Sequence, residues 1–66
     1  MSVAKVVEIT SSSKSSFQDA IEKGVARANK SLKNVQGAWV QDQKVDVVKG
    51  KIVAYRVSMK VTFILA

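Results

Sequence analysis

Residues Lys51–Leu65 read KIVAYRVSMKVTFIL. Val53, Tyr55, Val57, Met59, Val61, Phe63 and Leu65 alternate there with Ile52, Ala54, Arg56, Ser58, Lys60, Thr62 and Ile64. Side chains leave a strand on opposite sides in turn, so this period of two predicts one long β-strand with a fully apolar face. The other face is mixed, but Ile52, Ala54 and Ile64 are not residues for open water. Fully extended, such a strand spans roughly 50 Å, more than one short helix covers. In a chain of 66 residues, this predicts that further copies of the chain supply the missing cover.

Composition points the same way. A domain this small buries a modest share of its surface and is marginal alone unless disulfides, metals or partners help. There is no Cys and no His, which removes disulfides and makes zinc or haem ligation a poor reading. A homo-oligomer is the remaining device. The formal net charge is +6. A solvated lysine surface accounts for it, with contact to nucleic acid or an anionic cofactor as the alternative. Residues 1–10 carry Lys5 and Glu8 within a short apolar run, unlike a signal peptide. No apolar run reaches membrane-spanning length, so the expectation is a cytoplasmic protein with no membrane partner.

Working back from the long strand, Val48-Lys49-Gly50-Lys51 reads as a tight turn with positive φ at Gly50, making a hairpin with a strand over Val35–Val47. Gly37 in that strand marks a bulge or a close approach to the backbone. Val3–Thr10 is β-branched and predicts a first strand, followed by a polar loop over Ser11–Ser16. Ser15 as N-cap with Gln18 three residues on opens a helix. Its apolar stripe is Phe17, Ile21, Gly24, Val25, Ala28 and Leu32, and Asn34 ends it. Asp19 and Lys23 form an i, i+4 pair. Gly24 costs helix stability and is best explained by close packing of helix on sheet. The order β-α-β-β predicts an α+β fold in one domain, residues 1–66. Its antiparallel three-stranded sheet has order 1-3-2 and curls around one helix.

This pattern resembles the dodecin family. The resemblance is carried by Val3-Ala4-Lys5-Val6-Val7-Glu8-Ile9, the Ser-rich loop, Ser16-Phe17-Gln18-Asp19-Ala20 and Ala26-Arg27-Ala28 with Leu32. Val40-Gln41-Asp42-Gln43, Tyr55-Arg56-Val57 and Val61-Thr62-Phe63 complete it. The resemblance implies a hollow homododecameric shell that stores or sequesters a flavin, riboflavin or FMN, without turnover. It also implies an aromatic platform early in the second strand and a glutamine in the third. Gly37 and Arg56 stand at those two positions here, and Trp39 follows two residues after Gly37.

The candidate cofactor-binding residues are therefore Trp39, Arg56, Gly37, Gln41 and Gln43. Trp39 is either a stacking platform for a flat heterocycle or an anchor buried between subunits. Arg56 can bond a carbonyl edge or a phosphate, stack on a ring, or form an intersubunit ion pair with Glu8, Asp42 or Asp46. On an ideal strand Gln41 and Gln43 share a face with Trp39 and could replace the missing glutamine. The alternative function is a structural assembly without flavin, holding another ligand or a cation at subunit interfaces; the five acids form no dense calcium loop. Lys23, Arg27, Lys30 and Lys33 make a basic helix face without the interleaved aromatics of single-strand binders, so nucleic acid is not the expected partner. Catalysis is not expected: no nucleophile stands beside a base, and no Gly-rich loop is present.

Overall fold

The computed structural model describes residues 3–65; Met1, Ser2 and Ala66, the ends of the expected 1–66 unit, lie outside the described residues. The elements are β1 (Val3–Ser13), α1 (Phe17–Ser31), β2 (Val35–Val48) and β3 (Lys51–Leu65). They form an antiparallel sheet of order β1-β3-β2, with the alternating segment at its centre. The strand with the most continuous apolar face thus takes the position with a neighbour on both sides.

The helix covers the middle of that face. Val57, Met59 and Val61 are buried beneath it together with Ala20 and Ala28. Ile9, Phe17, Ile21, Val25 and Val40 close around this centre. Phe17 meets Tyr55 edge-on, with ring centroids 5.1 Å apart. A helix of this length is roughly 22 Å long, whereas the molecule extends 51 Å. The ends of the apolar face stay open accordingly: Val53 and Leu65 are 45% and 48% exposed.

Gly24 is buried where α1 crosses the sheet. A Cβ added there would lie 2.5 Å from Met59 Cε and 3.0 Å from Ser11 Cβ. Close approach of helix to sheet is therefore its reason for being there, as the sequence led us to expect.

Three local expectations are corrected. First, the Ser-rich segment is mostly strand. β1 runs on to Ser13, with Ser11 opposite Val57 and Ser13 opposite Tyr55. Second, the N-cap is Ser16, one residue later than expected. Its Oγ accepts from the Asp19 N–H at 3.0 Å. Ser15 instead donates its N–H to Ser13 Oγ at 2.9 Å, and Ser13 donates its hydroxyl to Asp19 Oδ2 at 2.6 Å. The buried Ser13 thus ties the end of β1 to the first helical turn. The Ser13 hydroxyl, followed by Lys23 at 3.0 Å, holds the Asp19 carboxyl below the usual carboxylate range. Third, the helix stops at Ser31 rather than Asn34, with Leu32 extended. Asn34 takes φ 61° and turns the chain into β2, a conformation asparagine tolerates better than most residues.

The hairpin turn has positive φ at both Lys49 (51°) and Gly50 (78°). That is the mirror-image turn whose twist matches the flanking strands. Glycine was expected in that region; lysine there is not the residue the turn favours.

Candidate ligand-binding face

The sheet has one face under the helix and one free of it. Antiparallel register places cross-strand partners on the same face, so the helix-free face can be read rung by rung. Val6, Thr62 and Gly37 form one rung, and Glu8, Lys60 and Trp39 the next. Thr10, Ser58 and Asp42 follow, then Ser12, Arg56 and Lys44. Asp46 lies beside Ala54, nearer the hairpin turn.

Trp39 is 72% exposed. An indole of that size standing in water on a regular strand has no account in the fold of one chain. Its neighbour on the same face, Gly37, has open space where a side chain would begin. The register slips between Val35 and Gly37, so Gly37 does accompany a bulge. The bulge sets Gly37 and Trp39 on the helix-free face while Val35 stays opposite Phe63.

A second slip, between Val40 and Asp42, corrects the placement of the glutamines. Gln41 is the extra residue of that bulge, and Asp42, not Gln41, inherits the face of Trp39. Gln43 lies opposite the buried Val57 and so belongs to the helix side. An extra residue in one strand inverts the alternation beyond it, and nothing in the composition of VQDQ announces it.

Arg56 lies on the helix-free face and donates from Nε to Asp46 Oδ2 at 2.7 Å. The ion pair expected between subunits with Glu8, Asp42 or Asp46 forms instead within one chain, with Asp46. Asp46 is closer to the hairpin turn than Arg56 is, so the guanidinium leans away from Trp39, which is two rungs off. Within one chain the structure brings Gly37 and Trp39 together and sets Arg56 apart. Arg56 instead lines a polar groove of about 690 Å³ with Thr10, Ser58, Asp42, Lys44 and Asp46, and Gln43 contributes to that lining although its rung partner Val57 is on the helix side.

The residue that sequence reasoning passed over is Lys60. It is the direct cross-strand neighbour of Trp39 and is half-buried. Among the described residues the ion pairs are Lys23–Asp19 and Arg56–Asp46, so the Lys60 ammonium is unpaired although Glu8 is its neighbour on the other side. Its signal was available: counting back from Val48 opposite Lys51 brings Trp39 opposite Lys60. The bulge at Gln41 in β2 and the slip near Val53 in β3 cancel over that distance.

The helix side carries a second concavity of about 600 Å³ between β1 and α1, floored by Val7, Ile9, Gly24 and Ala28 with Lys23 and Arg27 at its rim. Arg27 is engaged there by Ser31, to whose Oγ it donates from Nη1 at 2.7 Å.

Comparison with known proteins adds the following. A family model described as Dodecin matches residues 3–66. The structure is similar to that of the dodecin from Streptomyces davaonensis, with a TM-score of 0.93 at 29% identity, covering 98% of this chain and 96% of that one. A single-residue variant of the Thermus thermophilus dodecin gives a TM-score of 0.93 at 27% identity, covering 100% and 98%. A calcium dodecin from Mycobacterium tuberculosis, described as calcium chelating and as having a novel calcium-binding site, gives 0.84 at 34% identity, covering 97% and 91%. No curated protein matches the chain.

Proposed function

Because the chain belongs to the dodecin family, we propose that it assembles into a homo-oligomeric shell and holds a flat heterocycle, a flavin, against Trp39 without turnover. The observation that carries this reading is the exposed indole on the helix-free face, with the space beside Gly37 open to a ring. Offset stacking of a flat ring on an indole adds about 0.5–1.5 kcal/mol beyond the area it buries. A neighbouring subunit supplies the second wall of the site, because in one chain Trp39 has nothing above it. The same subunit contacts cover Val53 and Leu65 at the ends of the apolar face. Storage rather than catalysis fits a sequence without His or Cys.

The test is size-exclusion chromatography with light scattering, recording visible flavin absorbance, followed by titration with riboflavin and FMN. Trp39 is the only tryptophan, so quenching of its emission reports the site directly. Large particles whose tryptophan emission is quenched by micromolar flavin support the reading. Large particles with unchanged emission remove the ligand, and a monomer removes the shell. Trp39→Ala should abolish binding and leave the particle intact; a particle that falls apart makes the indole a subunit anchor instead.

A second reading is a cation held at subunit interfaces. It is favoured by the 34% identity to a calcium dodecin and by Asp42 sharing a rung with the hydroxyl-bearing Thr10 and Ser58. Among the described residues no group of three or more His, Cys, Asp or Glu is gathered in one chain. A calcium ion would therefore need carboxylates from more than one subunit. Calorimetric titration with calcium, repeated on Asp42→Asn, separates this reading from the first.

A further inference from the structure

Resting on the stacking site proposed above, we propose that Lys60 decides which flat ligands it accepts, favouring rings with an anionic or acceptor-only edge over cationic rings. Lys60 and Trp39 are cross-strand partners, so the ammonium stands beside whatever lies on the indole. Lysine offers three donors and no acceptor. A ring edge bearing carbonyl, carboxylate or sulfonate oxygens satisfies it, and a ring edge bearing amino groups meets donors with donors. The ammonium is half-buried and has no carboxylate within ion-pairing distance among the described residues. It therefore enters a complex without first giving up a partner. Its neighbours on the face are Glu8 across β1, and Ser58 and Thr62 along β3, at the next positions on the same side. The charged residues around Lys60 on this face are Glu8 across β1 and Asp42, one rung along β2 from Trp39. Glu8 lies on the far side from Trp39 and Asp42 stands a rung away, so the charge directly across from the indole is positive. Arg56, the next cation along β3 on this face, is already held by Asp46.

The experiment uses Trp39 emission and two flat three-ring probes, anthraquinone-2-sulfonate and proflavine, on the assembled protein. The wild type should bind the sulfonate about tenfold more tightly than proflavine, the effect of one charge-assisted hydrogen bond. Lys60→Gln should bring the ratio to within about threefold while light scattering shows the same particle. Lys30→Gln on the helix removes the same charge from the whole molecule and should leave the ratio unchanged, which separates a local ammonium from the general positive charge. Lys60→Arg keeps the charge and should keep the preference, and it serves where Lys60→Gln does not assemble. Equal binding of both probes to the wild type, or an unchanged ratio in Lys60→Gln, overturns the role of Lys60 and leaves the stacking site standing. Quenching by neither probe removes the stacking site and this inference with it.

Discussion

Replacing Gly24 by alanine tests how the helix sits on the sheet. Taken as a helix alone, the change should help, because alanine is more favourable than glycine in a helix interior by about 1 kcal/mol. The tertiary contact opposes it. The new methyl would lie 2.5 Å from Met59 Cε and 3.0 Å from Ser11 Cβ. Met59 Cε is the end of a flexible chain, but Met59 is 0% exposed and packed in the core with Ala20 and Val57, so moving it disturbs that packing. Ser11 Cβ is bonded directly to the backbone of β1 and yields only if the strand shifts. Overpacking of this kind costs about 1–3 kcal/mol. The balance is a net destabilisation of about 1 kcal/mol. Denaturant unfolding at a fixed protomer concentration, with particle size checked by light scattering, reads it. The decisive arm is the same substitution made in Met59→Ala. There the methyl has room, the helix preference is expressed, and Gly24→Ala should become stabilising, giving a coupling of about 1 kcal/mol or more between the sites. A Gly24→Ala protein more stable than the wild type, or a coupling near zero, refutes the packing argument.

Ser13→Ala should cost about 1–2 kcal/mol, since it strips the Ser15 N–H of its acceptor and Asp19 of a donor at the start of the helix; thermal or denaturant unfolding measures it. Asp19 is held below the ordinary carboxylate range, so its contribution is present above about pH 4 and lost as the pH falls through the lowered folded value. Stability measured down an acid series should therefore decline less steeply in Asp19→Asn than in the wild type. Lys49→Asn should stabilise the hairpin by about 0.5–1 kcal/mol, because asparagine accepts the positive φ that lysine adopts there; an unchanged unfolding midpoint would speak against a strained turn.

The fold was legible in the sequence because two patterns in it are nearly free of exceptions. Lys51–Leu65 alternates over its whole length, and the stripe from Phe17 to Leu32 keeps helical spacing. Their order leaves few topologies open once crossover handedness is imposed. The misread boundaries lie where polar residues are used structurally. Ser11 and Ser13 read as loop by composition, yet they complete β1, because Ser13 meets its hydrogen-bonding needs within the fold while buried. The bulge at Gln41 was not legible at all. A strand interrupted by one extra residue has the same composition as one without it, and the slip is decided by how β2 lays Val40 against Met59 while turning Asp42 to the other side.

The same bulge explains why the site was only half visible. Alternation from Trp39 gathers Gln41 and Gln43 beside it, but the strand has changed sides by then. Arg56 is a candidate because it stands at the glutamine position of the family pattern, and its bond to Asp46 draws it toward the turn. Pairing, rather than alternation along one strand, is the measure that finds the neighbours of Trp39. It returns Gly37 and Asp42 on the same strand and Lys60 directly across, and no lid. A largely exposed indole beside an ammonium that has no ion-pair partner among the described residues is an unfinished surface in a single chain, since burying the ring requires something to lie on it and satisfying the ammonium requires an acceptor. Under the proposed function both needs would be met by one event, the arrival of a flat, oxygen-bearing ring in a cleft closed by a neighbouring copy. A neighbouring subunit docking directly on Trp39 meets only the first need unless it also brings a carboxylate to Lys60.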